Sequence, residues 1–308
     1  MLLSSLLLLL ALFVVVKSAN FAIHYATLLA ESLSLPKYVV GFAVVAVISI
    51  LPETFVAVTS ALEGLPAFGL GTLFGSNIAD LTLVFALVVF LSGRKLKIES
   101  RLIKNRFFHI GAMAVPIILG LDGRYSRWDA LILILAGIAF YYVILKKNIY
   151  IAKTDREKFR IQNILLLLLS MAGLLAGSHF TVRYGVSLAN SLEISPILIG
   201  MLVVGLGTTL PELFFSVKAA RHHHDDLALG DILGTVIADA TIVVGLIALI
   251  SPFSFNLRII YITGAFMFLA TFLLFIFMKS DKRLSRKEAG LLFLFYVIFV
   301  ITEFLANR

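Results

Sequence analysis

The sequence predicts an all-α polytopic membrane protein with ten transmembrane helices in two inverted-topology repeats of five. Three observations predict it. The composition suits a lipid solvent, the basic residues gather in alternate loops, and two internal segments match at a fixed offset of 159 residues.

The 308-residue chain is 60% hydrophobic and only 14% charged, with a mean hydropathy of +1.04. A soluble domain carries about 25% charged residues. A helix needs about 20 apolar residues to cross a bilayer, and several runs here reach that length. The formal charge of +8 does not point to nucleic acid, because the basic residues sit in short loops between apolar runs. The absence of cysteine excludes disulfides, thiolate nucleophiles and sulfur-ligated metals. No cofactor and no obligatory protein partner is implied. The bilayer is the expected surrounding.

The spans are expected near residues 3–30, 37–62, 68–92, 107–121, 127–146, 162–189, 194–220, 227–250, 256–278 and 286–305. The first lacks a basic leader and stays apolar from Leu6 to Leu29 past Lys17. It therefore reads as a span and not as a cleaved signal. Orientation follows from the loops. Arg94, Lys95, Lys97, Arg101, Lys104 and Arg106 follow the third span, and Lys146, Lys147, Lys153, Arg156, Lys158 and Arg160 the fifth. Arg221 with His222, His223 and His224 follows the seventh, and Lys279, Lys282, Arg283, Arg286 and Lys287 the ninth. The opposite loops carry chiefly Arg124, Arg127 and Arg258. The positive-inside rule places the basic loops in the cytoplasm and both termini outside a cell membrane.

The repeat pairs residues 41–92 with 200–251 without a gap, and about 19 of 52 positions are identical. Convergence of two apolar segments could align leucines and valines. It would not also align Pro52 with Pro211, Glu53 with Glu212, Gly75 with Gly234 and Asp80 with Asp239, so duplication is the reading. The first repeat is expected over 1–147 and the second over 162–308, with a cytoplasmic linker at 148–161. Spans two and seven lie five crossings apart, so equivalent helices run in opposite directions, an architecture common among secondary transporters.

Each Leu-Pro-Glu motif falls near mid-span. Proline removes a backbone donor and crowds the preceding turn, which is expected to free carbonyls from Ala46 to Ser49 and from Gly205 to Thr208. In lipid such groups need partners or a polar cavity. Glu53 and Glu212 follow the prolines, and mid-membrane carboxylates are costly unless paired or neutralised. With Asp80, Asp239 and the hydroxyls of Ser49, Thr208, Thr209, Ser76 and Thr235 they form an all-oxygen set suited to a hard cation such as Ca²⁺. Ser76 and Asp80, and likewise Thr235 and Asp239, are four residues apart and share a helix face.

The motifs SILPE with GSNIAD, and TTLPE with GTVIAD, resemble the alpha repeats of the cation/calcium exchanger superfamily, most closely its archaeal sodium/calcium exchangers. The resemblance implies antiport of Ca²⁺ against Na⁺ at one central site, with no enzymatic activity. It implies Ca²⁺ at Glu53 and Glu212. It implies Na⁺ at Ser49, Thr208, Thr209, Ser76 and Thr235 and at the carbonyls of Ala46 and Gly205, with a site role for Asp239. It further implies that the first and sixth spans slide as a bundle against the rest. The chain departs from the family pattern twice: Ile50 stands where a serine is usual, and Asp80 where asparagine is frequent. Asp80 adds a titratable acid, so Ca²⁺/H⁺ antiport is the alternative reading, and a cation channel a further one.

Other signals are assigned no transport role. His222 to His224 with Asp225 and Asp226 read as a solvated loop. Gly230-Asp231 partly resembles an intramembrane aspartyl protease motif but lies near the cytoplasmic mouth, and replacing Asp231 is expected to leave transport intact. His179, Arg183, Asn20 and His24 are expected to line the access path or anchor the bundle.

Overall fold

A computed structural model describes residues 2–32, 50–98, 106–146, 161–280 and 282–306. Among these residues the chain is helical almost throughout. Seven helices are long and apolar enough to cross a membrane: Leu2–Ala22, Pro66–Ser92, Ile161–Ser191, Pro196–Arg221, Ala228–Ile250, Ile259–Ser280 and Arg286–Ala306. Helices Arg106–Leu119 and Arg127–Lys146 occupy the fourth and fifth expected spans and are not among the seven. The second expected span is described only from Ile50, and contains the shorter apolar helix Leu51–Leu62. Residues 148–160 of the linker, Ala46 and Ser49 lie outside the described residues.

The helices are layered by burial. The stretches Pro66–Ser92 and Ala228–Ile250 are 83% buried, whereas Leu2–Ala22, Ile161–Ser191 and Arg286–Ala306 are 28% buried. The helices that bear Asp80 and Asp239 therefore form the centre, and the other three turn most of their surface outward, as a lipid solvent allows. Leu70, Leu73, Phe74, Ile78, Val236, Ile237 and Ala240 make the central core. At the periphery Leu2–Ser32 packs along Ile161–Ser191. Glycine sets that approach: a Cβ on Gly173 would lie 2.3 Å from the Ser18 hydroxyl, and one on Gly177 2.9 Å from Val15.

The same elements recur at the repeat offset. Helix Leu51–Leu62 corresponds to Leu210–Arg221, and Pro66–Ala79 to Asp225–Ala238. Two π-helical turns, Asp80–Val84 and Asp239–Val243, correspond as well. Two short antiparallel ladders each tie the N-terminal half to the C-terminal half. Leu96–Lys97 pairs with Arg283–Leu284, and Arg124–Tyr125 with Phe253–Ser254.

At the basic-loop end a charged clamp joins the halves. The Arg94 guanidinium donates to both Asp225 carboxylate oxygens and to the Ala220 carbonyl, and the Lys97 amide donates to Asp225 at 2.8 Å. Burial pushes the Asp225 carboxyl up, but the Arg94 and Lys97 donors more than offset this and hold it below the usual carboxylate range. A depressed carboxylate stabilises the fold above its unfolded pKa of about 3.9, and that contribution is lost as pH falls through the folded value. Asp225→Asn is therefore expected to cost about 2 kcal/mol at neutral pH. It should also flatten the acid limb of a thermal-stability profile recorded in detergent. An unchanged acid limb would show that the clamp contributes nothing.

Candidate cation site

The two Leu-Pro-Glu motifs build matching breaks. Ile50 and Thr209 precede the two helices with nearly equal backbone angles, φ −75°, ψ −2° and φ −76°, ψ −4°. The prolines follow within the first two helical positions, where a missing amide hydrogen costs nothing. Helix Gly205–Thr208 ends at this break and helix Leu210–Arg221 begins after it. The expectation of a freed carbonyl at Gly205 does not hold in this conformation. That oxygen accepts the Thr209 amide at 3.3 Å and the Thr208 hydroxyl at 3.1 Å. The donor that Pro211 removes is the one four residues after Gly207, so the break spares Gly205.

Beside the break, the helices Pro66–Ala79 and Pro196–Thr208 meet backbone to backbone. A Cβ on Gly75 would stand 2.1 Å from the Met201 carbonyl oxygen, and one on Gly205 2.8 Å from the Thr72 carbonyl oxygen and 2.9 Å from the Ser76 amide nitrogen. Gly71 and Gly200 approach Ile197 and Phe68 in the same way. Small residues permit such crossings within membranes. This one carries Ser76 against the turn that holds Thr208 and Thr209.

Glu53, Asp80, Glu212, Asp239, Ser76, Thr208 and Thr235 are fully buried, and Thr209 is 1% exposed. Neither carboxylate oxygen of Glu53, Asp80 or Asp239 accepts a hydrogen bond, and the Thr235 hydroxyl has no partner. The acids lie within charge reach of one another: Glu53 of Asp239 and Asp80, and Asp80 of Glu212 and Asp239. Thr208 stands beside Glu53, and Ser76 beside Asp239. The other hydroxyl protons are spent on the helices. Ser76 donates to the Leu73 carbonyl at 2.9 Å and Thr209 to that of Leu206 at 2.9 Å, so their lone pairs stay available. Among the described residues no three His, Asp or Glu side chains gather tightly enough to hold a metal ion by themselves. A cation here would need hydroxyls and carbonyls to complete its shell.

Three features escaped the sequence reading. Each aspartate opens a π-helical turn, a distortion frequent at functional sites. Thr82 and Thr241, identical in the repeat, donate to the Ile78 and Ile237 carbonyls. Asn77 is fully buried, with its amide 3.8 Å from the Met267 sulfur and its carbonyl oxygen unpartnered. Its repeat counterpart is Val236, so matching the two halves gave it no weight. His179 joins helix Ile161–Ser191 to Glu63 at the end of helix Leu51–Leu62.

The family model described as sodium/calcium exchanger protein matches residues 3–146 and again residues 162–305. The chain belongs to the sodium/calcium exchanger family. It is a multi-pass membrane protein of that family, and the two matches are displaced by the repeat offset of 159. It is similar to sodium/calcium exchanger MaX1 of Methanosarcina acetivorans, 24% identical over 97% of this chain and 98% of that protein. It is also similar to inner membrane protein YrbG of Escherichia coli, 28% identical over 82% and 81%. Among solved structures it shares its fold with the sodium-calcium exchanger NCX_Mj, with a TM-score of 0.69 and 23% identity over 97% of this chain and 98% of that chain. It likewise shares its fold with the H⁺/Ca²⁺ exchanger CAX, with a TM-score of 0.78 and 19% identity over 97% and 82%.

Proposed function

We propose that this protein exchanges Ca²⁺ for Na⁺ across a cell membrane by alternating access at one central site. The observation that carries the reading is the fully buried carboxylates of Glu53, Asp80 and Asp239, whose oxygens accept no hydrogen bond. An ionised carboxylate without a partner in an apolar interior calls for a counter-cation or a proton. Glu53 and Glu212 together neutralise one Ca²⁺. Asp80 and Asp239, held protonated, add ligand oxygens without adding charge. The hydroxyls of Ser49, Thr208, Thr209, Ser76 and Thr235, with the carbonyls of Ala46 and Gly205, hold Na⁺. Gly205 does so once its carbonyl is released from the Thr208 hydroxyl.

The recurrence of breaks, helices and π turns at one offset supports two inverted five-helix repeats over 1–147 and 162–308. The basic loops support a cytoplasmic face with both termini outside. Helices Leu2–Ser32 and Ile161–Ser191, packed on each other and largely exposed along their spans, are the pair suited to slide against the core.

A second reading, Ca²⁺/H⁺ antiport through the same glutamates, is favoured by one observation. Asp80 and Asp239 are both fully buried acids with unpartnered oxygens at equivalent π turns. Uptake of ⁴⁵Ca into proteoliposomes separates the readings. Uptake driven by an outward Na⁺ gradient supports the first, uptake driven only by an outward H⁺ gradient replaces it with the second, and net flux without a counter-ion indicates a channel. Ile50 occupies the position equivalent to Thr209, so Ile50→Ser restores a hydroxyl. It is expected to raise apparent Na⁺ affinity by roughly threefold to tenfold, worth about 1 kcal/mol for one added ligand. An unaltered Na⁺ dependence would remove Ile50 from any sodium position.

A further inference from the structure

Glu303 lies in the last apolar helix, Arg286–Ala306, and is 2% exposed. It sits at the end away from the basic loops, one turn before the helix stops. Cation exchange at the central site gives it no task. Its counterpart at the repeat offset is Ile144, so the acid belongs to one half only. An ionisable side chain within a span is a functional candidate by default. The Thr263 hydroxyl donates to its Oε1, and Thr263 is fully buried in the π turn Ile259–Gly264. Rings wall the contact. Phe299, one turn before Glu303, packs on Phe266, three residues after Thr263, with 5.4 Å between centroids.

Thr263 has a second acceptor. The Met201 sulfur lies 3.8 Å from the same hydroxyl oxygen, and a threonine hydroxyl has one proton to give. An ionised Glu303 takes that bond, because a carboxylate is a far stronger acceptor than a thioether. A protonated Glu303 donates instead to the Thr263 oxygen, and the hydroxyl turns to Met201. Met201 stands in the π turn Gly200–Val204, and its carbonyl oxygen is the atom that a Cβ on Gly75 would meet at 2.1 Å. Met267, one turn after Thr263, accepts from the Asn77 amide at 3.8 Å. Both neighbours of Ser76 are therefore reached from the stretch Ile259–Ser280, Gly75 through Met201 and Asn77 through Met267.

We infer that Glu303 is a proton-binding site outside the cation site, and that the Thr263 hydroxyl relays its charge state through Met201 to the crossing that carries Ser76. Protonation ties Met201 to Thr263, closes the crossing and tightens Ca²⁺ binding. Ionisation frees Met201 and loosens it. One hydroxyl proton with two acceptors supplies the two discrete arrangements that coupling between sites requires. The proton stays in place and is not the exchanged ion. The elements packed most closely on the Glu303 helix are Phe85–Ser92, Asp80–Val84 and the stretch Ile259–Ser280. Their charged or titratable groups are Asp80, Tyr261 and Lys279, and Pro196–Thr208 carries none. Tyr261 and Arg258 are exposed, and Lys279 lies about 24 Å from Thr263 along the helix. On the Glu303 helix, Arg286, Lys287 and Glu288 lie at the far end and Tyr296 two turns away. Asp80 belongs to the central site, and its titration is common to every variant compared below. The inference rests on the Ca²⁺ reading of that site and adds a proton control to it.

Two readouts on the purified full-length protein in detergent test it. Infrared difference spectra over roughly pH 4 to 9, the range of exposed and buried glutamates, should contain a protonated-carboxyl band that Glu303→Gln removes and Thr263→Val shifts. Ca²⁺ affinity over the same range should contain a component that Glu303→Gln abolishes. Fixed in the neutral form, that variant should bind Ca²⁺ roughly threefold tighter than the unaltered protein at the alkaline end, the worth of one weak hydrogen bond. Thr263→Val and Met201→Leu should abolish the same component, and Thr263→Ser should keep it. Met201→Leu should leave the Glu303 band in place. These two variants keep both readouts available where Glu303→Gln does not fold. Spectra with no band that depends on Glu303 or Thr263 overturn the proton site. A band present while the Ca²⁺ affinity profiles of the unaltered protein and the variants coincide overturns the relay. Absence of Ca²⁺ binding by the unaltered protein overturns the central-site reading and the relay with it, while the band still decides the proton site.

Discussion

Glu53→Gln and Glu212→Gln are each expected to abolish Ca²⁺ transport while leaving the protein folded. Both glutamates are fully buried, and glutamine matches their volume, so packing is preserved. What changes is charge. A unit pair about 4 Å apart at an effective dielectric near 20 is worth about 4 kcal/mol, and a divalent ion feels more. Loss of one of the two glutamate charges therefore weakens Ca²⁺ binding by roughly a thousandfold or more. The stability readout goes the other way. Glutamine avoids burying a charge, so without Ca²⁺ the variants melt at or above the temperature of the unaltered protein. Added Ca²⁺ is expected to raise the melting temperature of the unaltered protein by mass action, about 2.7 kcal/mol at a hundredfold excess over Kd, and to move the variants' far less at the same Ca²⁺ concentration. Ca²⁺ transport surviving either substitution would sink the central site.

Gly75→Ala carries the second large effect, and it acts through shape. The new Cβ would lie 2.1 Å from the Met201 carbonyl oxygen and 2.7 Å from the Met201 carbonyl carbon and Cα. All three are backbone atoms of a packed helix and have no rotamer to yield. The helices Pro66–Ala79 and Pro196–Thr208 must separate, and overpacking of this kind costs about 3 kcal/mol or more. Separation also draws Ser76 away from Thr208 and Thr209. The expected result is a lowered melting temperature in detergent, with loss of exchange in whatever protein remains folded. Gly290→Ala is the control. Nothing among the described residues comes within 4 Å of its Cβ, so that change should be neutral or stabilise the helix by about 0.5–1 kcal/mol. Equal behaviour of the two variants would show that the crossing tolerates a methyl group and that the Gly75 contact does not set the site.

The sequence by itself determined the membrane solvent, the repeat and its offset, the two proline breaks, and the acids and hydroxyls in register on them. These were legible because each is a property of residue type and spacing. Only Gly and Pro in matched positions, and acids inside apolar runs, demanded a shared explanation. The structure then set helices and turns at equal offsets and buried every described member of the predicted set.

What the tertiary structure alone decided lies in contacts between helices. No residue pattern announces a π turn, which is a shift in hydrogen-bond register, so spacing alone puts Asp80 and Asp239 on ordinary helices. Proline suggested a free carbonyl at Gly205, but the Thr208 side chain reaches it first. Asn77 carries no repeat signal, because Val236 shares its register, and its burial beside Met267 is visible only in three dimensions. Periodicity fixes which side chains share a face. Only packing fixes which faces meet, and here it set the Gly75 backbone against Met201.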